Sequence, residues 1–203
     1  MFFMVRQFSG AFVATCTWNP SDKSAEMTLA NSDLDAIRVA DASEHEGVRG
    51  TVSRTTGKYY IEYKIVTMDH DDDCYVGFAT SSATLDGNPQ SAGVTVFWRG
   101  GGHVQIGAGS EGPFAYVVSN VLCLAVDFAT GKTWVNKNNG AWLDGGDPAS
   151  DTTPTGTFTA GDAYFPWHGT DNAPPERATN VRILAHAANQ NYSPPSGFTP
   201  FGD

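Results

Sequence analysis

The chain nowhere repeats apolar residues at the 3.6-residue period over three turns, so no long helix is expected. It alternates instead. In Lys58–Val66 the odd positions Tyr59, Ile61, Tyr63 and Ile65 are apolar, while Lys58, Glu62 and Lys64 are charged. That pattern turns one face of a strand to a core and the other to water. Cys74–Thr80, Val94–Trp98, His103–Ile106, Val121–Phe128, Lys132–Asn136 and Val181–His186 read as further strands, separated by Gly, Asn, Asp or Pro clusters. Phe12–Thr17 reads as a first strand, and Val121–Phe128, the most continuously apolar, is expected at the centre of a sheet. So many short strands in one chain imply an all-β fold, a two-sheet antiparallel β-sandwich. Between two of them, Asp127 and Gly131 bracket a tight reversal, and Asn138-Asn139-Gly140 marks a second. Polar stretches at 83–92, 143–156 and 168–179 read as loops, where binding residues gather on a rigid sandwich.

Composition narrows the class. With 203 residues and 40% hydrophobic content, the chain suffices for one sizeable core and argues against two. Charged residues make up 17%, below the roughly 25% of an average soluble domain, a deficit that leans towards β structure. Twelve Lys and Arg against 22 Asp and Glu leave a net charge of −10, which excludes a binder of nucleic-acid backbone. The longest apolar run is Val121–Val126, far short of the roughly 20 residues of a membrane span, so no membrane partner is expected. Met1–Val5 is apolar but has no cation ahead of it and is stopped by Arg6, a poor match to a signal peptide. Cys16, Cys74 and Cys123 show no CxxC spacing and read as inert thiols of a protein folded in a reducing cytoplasm.

Several motifs occur in an order that resembles the SPRY family of β-sandwich interaction domains. They are Thr56–Glu62, Val76–Thr80, the hairpin Val121–Asn138 with its central Gly131-Lys132-Thr133-Trp134, Tyr164-Phe165-Pro166, and Tyr192–Phe198. The similarity covers residues 13–203, leaving 1–12 as a docking or trimerising arm or as a first strand. Thr17–Lys23 and Gly145–Ala149 are also similar to SPRY domains of bacteriophage and prophage structural proteins. The resemblance implies a SPRY/concanavalin-like sandwich with no catalytic activity. It further implies a virion-surface role, as a decoration, fibre or receptor-contacting spike, made in the bacterial cytoplasm. Its partners would be other virion proteins and a host-surface glycan or protein. A cellular, cytoplasmic peptide- or protein-binding module is the alternative. The chain departs from the family pattern at Phe97-Trp98-Arg99, at the triple glycine 100–102, and after Pro166.

Those departures supply the candidate binding residues. Trp98, Arg99 and His103 flank the glycine turn, and Trp167, His168, Asp171 and Asn172 follow Pro166. Aromatic rings beside planar polar groups suit carbohydrate or peptide recognition if they are exposed; otherwise Trp98 and Trp167 end strands and bury in the sandwich. Trp18 and Trp134 are expected in the core. Asp69, Asp71 and Asp73 form the densest acidic run, a candidate Ca²⁺ loop, although no Gly supplies an EF-hand turn and no Glu closes it. The five histidines lack HxH or HExxH spacing. A phosphate loop fails because Val126 stands five positions before Gly131, and a Gly-x-Ser-x-Gly elbow fails at Ala108. Glu62 and Asp127 are the strand carboxylates a sandwich glycosidase would have to use.

Overall fold

The computed structural model describes residues 15–38, 45–70, 74–87, 93–112, 114–170 and 178–203. Their strands, in chain order, are β1 (Trp18–Lys23), β2 (Met27–Ala30), β3 (Asp35–Arg38), β4 (Gly47–Gly50), β5 (Lys58–Met68), β6 (Cys74–Thr80), β7 (Val94–Arg99) and β8 (Val104–Ile106). There follow β9 (Gly109–Glu111), β10 (Val121–Asp127), β11 (Lys132–Lys137), β12 (Gly156–Thr157), β13 (Tyr164–Thr170), β14 (Thr179–Leu184) and β15 (Thr199–Pro200). One sheet runs β1-β4-β13-β6-β7-β8-β9, the other β12-β11-β10-β5-β14-β3-β2, and β15 lies parallel beside β5. Apart from β15 every pairing is antiparallel, so the architecture is the two-sheet sandwich that strand alternation implies. β10 sits between β11 and β5, where its unbroken apolar run is buried on both faces.

The main core fills the space between the sheets. Ile61, Tyr63 and Ile65 of β5 meet Trp18, Val76, Phe78, Trp98 and Phe128 there. The wide polar rings keep their donors satisfied: Tyr63 Oη donates to Gly77 O at 2.7 Å and Trp18 Nε1 to Val181 O at 3.2 Å. Turn chemistry fixes the β10–β11 register. Gly131 has φ 75° and its amide donates to Asp127 O at 2.7 Å, while Ala129 N donates to Asp127 Oδ1 at 3.0 Å. A Cβ on Gly131 would stand 1.9 Å from Phe158 O, so the position excludes any side chain. Asn138 and Asn139 both take positive φ, 54° and 55°, at the following turn.

Three expectations are corrected. The chain is not extended as a strand at Thr15–Thr17, and β1 begins only at Trp18; residues 1–14 lie outside the described residues. Residues 167–170 are not loop, because β13 continues through Thr170 between β4 and β6. Pro166 is tolerated because the β4 ladder covers only Trp167–Gly169, and the ring packs on Gly50, where a Cβ would meet it at 3.1 Å. Nor does the even face of β5 lie in water. Tyr60 and Glu62 are buried in a second, outer cluster with Cys123, Trp134 and Phe198, beneath the carboxy-terminal segment. Strand alternation alone does not show that a later segment returns to cover the second face.

Candidate binding surface

The glycine turn at 100–102 and the stretch 114–120 are built as one unit at one end of the sandwich. Gly102 N donates to Arg99 O and Arg99 N to His103 O, both at 2.9 Å, closing the turn between β7 and β8. Phe114 N then donates to Gly102 O at 2.8 Å and Tyr116 N to Gly100 O at 3.2 Å, so the second stretch lies along the first. Side chains lock the pair. Phe114 stacks on Trp98 with centroids 4.9 Å apart and planes 10° from parallel, and Trp98 Nε1 donates to Phe114 O at 2.8 Å. Tyr116 Oη donates to Cys74 O at 2.6 Å, and burial holds its phenol well above the usual range. Lys137 Nζ donates to Ala115 O at 2.7 Å.

That support leaves two side chains outside. Val117 N donates to Asn120 Oδ1 at 3.0 Å, and Ser119, with φ 75°, passes its amide to Ile65 O at 2.8 Å. The turn is thereby fastened to β5 with Val117 and Val118 pointing away, 61% and 42% exposed, the exposed large hydrophobics among the described residues. At the glycine turn Arg99 is half-buried with its guanidinium 5.9 Å from the Tyr75 ring centroid, and His103 is exposed. Two aliphatic side chains held in water cost free energy unless something covers them, which makes this turn a candidate contact surface.

The tryptophans are not part of it. Trp98 is 1% exposed and belongs to the inter-sheet core. Trp167 is 2% exposed and packs with Tyr75, Ala79, Ala83 and Phe97 on the outside of the seven-stranded sheet. His168 is fully buried between the sheets, with Nδ1 2.8 Å from Tyr75 O and Nε2 3.4 Å from Thr179 Oγ1. The alternation within β13 explains the split: Trp167 faces out under the 80–85 loop and His168 faces in. Arg99 and His103 thus come together at the loop end, whereas Trp98, Trp167 and His168 serve the fold. Asp171 and Asn172 lie outside the described residues. Val117 and Val118 are missed by sequence reasoning because Phe114–Val118 has the composition of a core segment. The signal that distinguishes them is the Ser119-Asn120 turn pair that follows directly.

Burial pushes the His168 imidazole down to about 4, with the nearby Arg38 charge adding to the effect. The unfolded chain, with an ordinary His near 6.5, takes up a proton that the folded chain refuses, so stability falls as pH drops from about 6.5 to 4. The loss from this group is about 3 kcal/mol. Urea unfolding at pH 7 and pH 4.5 should show a smaller drop in midpoint for His168→Gln than for the parent chain.

Of the acidic run, Asp71 and Asp73 lie outside the described residues. Asp69 Oδ2 accepts from Ala178 N at 3.0 Å, and Asp69 N donates to Ala178 O at 3.1 Å, which ties the end of β5 to the start of β14. No group of three His, Cys, Asp or Glu side chains able to hold a metal occurs among the described residues. Neither strand carboxylate is placed for acid–base work. Glu62 is fully buried and accepts from Tyr60 Oη at 3.0 Å, Asn191 N at 2.8 Å, Asn191 Nδ2 at 3.1 Å and Tyr192 N at 2.9 Å. Asp127, 5% exposed, caps its own hairpin. A catalytic carboxylate must reach substrate, and Glu62 reaches only the chain's own backbone and side chains.

No protein-family model matches the sequence, and no curated protein matches it. The fold has clear counterparts among solved structures. The SPRY domain of human HERC1 superimposes with a TM-score of 0.64 at 12% identity, over 82% of this chain and 96% of that one. A second human SPRY domain gives a TM-score of 0.50 at 14% identity, over 78% and 94%. The architecture is therefore a SPRY-type, concanavalin-like sandwich, and at these identities the likeness concerns the fold alone.

Proposed function

We propose that the chain is a non-enzymatic binding module that contacts a protein partner through its loop end, with Val117 and Val118 as apolar anchors and Arg99 and His103 on the glycine turn bonded to the same stretch. The observation that carries this reading is the rigidly fastened exposure of the two valines. The two solved structures described above are SPRY domains, consistent with an interaction role. Burial of Trp98 and Trp167 removes the aromatic shelf that a sugar ring would need, which favours a protein over a host-surface glycan.

The finer reading is display on a phage-like particle, with residues 1–12 docked in a larger assembly, and it is supported by the resemblance of Thr17–Lys23 and Gly145–Ala149. The position of Thr15 fits it. Thr15 Oγ1 contacts Gly202 O, and Phe201 N donates to Tyr60 O at 2.9 Å, whereas Asn120 O accepts from Ile65 N at the loop end. Tyr60 and Ile65 are five positions apart on β5, about 16 Å along the strand, a spacing that supports attachment at one end and contact at the other.

Peptide and glycan libraries screened with the parent chain and with Val117→Asp/Val118→Asp test the binding reading. Saturable binding to peptides, reduced about a hundredfold in a variant with unchanged circular dichroism, is expected. Equal binding by both proteins overturns the site, and binding to glycans alone overturns the partner class. Mass spectrometry of purified particles from a producing host tests the placement: the chain should copurify with capsid peptides, and its exclusion from particles overturns display.

A further inference from the structure

Residues 187–198 cross the outer face of the eight-stranded sheet and hide an apolar cluster separate from the main core: Tyr60, Val121, Cys123, Ala125 and Trp134, with Phe198 from the crossing segment. The two ends of the crossing are held firmly. His186 Nδ1 contacts Asp203 Oδ1, its Nε2 stands 2.8 Å from Thr15 Oγ1, and Phe201 is fully buried between the sheets. The middle is held differently. Its main polar fastening is Glu62, which takes two consecutive backbone N–H groups, those of Asn191 and Tyr192, and the Asn191 side-chain amide. Gln190 Nε2 adds one bond to Tyr60 O at 3.1 Å. Close by, Asn189 Nδ2 and Gln190 Oε1 are buried without a hydrogen-bond partner. A segment closed at its neck, polar in its middle and carrying unmet buried polar atoms is the part of a fold that opens locally before the rest unfolds.

We propose that the face beneath residues 187–198 is a peptide groove filled in cis, and that on opening of this segment it takes a partner peptide bent as residues 191–192 are, offering two consecutive backbone N–H groups to Glu62 and an aromatic side chain to the Tyr60–Cys123–Trp134 cluster. The resident segment supplies the template. A carboxylate only accepts hydrogen bonds, so Glu62 selects donors and repels anionic ligands. It reads main chain, which any peptide carries. Selection then falls to the apolar cluster, where Tyr192 packs half-buried and Trp142, also half-buried, extends the surface. The groove is separate from the loop end and stands whether or not Val117 and Val118 bind anything.

The three cysteines report on it in the full chain. Cys123 lies under the crossing segment, Cys74 in the main core, and Cys16 at the neck, where a Cβ on Gly202 would stand 3.1 Å from it. Cys123 is fully buried, so its alkylation requires opening, and burial also pushes its thiol up to about 11. Iodoacetamide labelling, followed residue by residue by mass spectrometry, should modify Cys123 at least about tenfold faster than Cys74 or Cys16. A synthetic peptide with the sequence of residues 191–198, at millimolar concentration, should slow Cys123 labelling, and the same peptide with Tyr192→Ala should not. Glu62→Gln should label faster at Cys123 and lose the protection. Equal rates at Cys123 and Cys74, or a Cys123 rate indifferent to the peptide, overturns the proposal. Labelling that slows with protein concentration alone makes the occupant a second copy and overturns the assignment to a partner peptide.

Discussion

Glu62→Gln should lower the unfolding free energy by about 3 kcal/mol, because the buried carboxylate accepts four hydrogen bonds and bonds to a charged acceptor contribute about 1.5–3 kcal/mol each. Glutamine keeps one carbonyl oxygen and turns an NH₂ towards donors that need an acceptor. The loss stays below the sum of four bonds because the crossing segment can lift and rehydrate its amides. For a chain of this length the shift corresponds to a fall in Tm of about 6–12 °C, measurable by calorimetry. Tyr60→Phe removes a single donor and should cost about 1 kcal/mol. If the two substitutions prove equally mild, Glu62 is not the fastening of residues 187–198.

Trp98→Ala should be at least as damaging, about 4 kcal/mol by urea unfolding. The ring is 1% exposed, stacks on Phe114, meets Tyr116 edge-on at 5.7 Å and donates to Phe114 O, so its removal opens a cavity and frees the stretch that carries the valines. Partner binding would fall with it, but through lost support rather than lost contact. Arg99→Ala should separate the two effects, leaving the unfolding free energy within about 0.5 kcal/mol of the parent while weakening binding. A Trp98→Ala chain of parental stability would return the tryptophan to the surface.

These sites mark what could be read in advance and what could not. Turn residues act locally, so Asp127, Gly131 and Asn138-Asn139 declare the β10–β11 hairpin and its exit without help from distant chain. The odd-position apolar residues of β5 likewise declare the face that meets Trp18 and Phe78. What stayed hidden depends on distant partners. Nothing near Glu62 states that Asn191 and Tyr192 will come to lie over it. Nothing near Trp167 states that β4 and β6 flank it, and Pro166 argues locally against the strand that forms. At Trp98 and Trp167 the residue types leave core and surface open, and only packing decides. The two valines were obscured by the converse effect, an apolar pair that reads as interior until the turn at Ser119-Asn120 is weighed.

The contact of Thr15 with Gly202 O and His186 sets the first described residue of the chain beside the last ones. Two such adjacent points make little demand on the spacing of any chain joined to them. The domain could be spliced into a surface turn of a larger protein, or capped at that corner by another subunit, with β5 and the inter-sheet core undisturbed. Changes at the Arg99–His103 and Val117–Asn120 turns would then alter what the module meets without altering how it is carried.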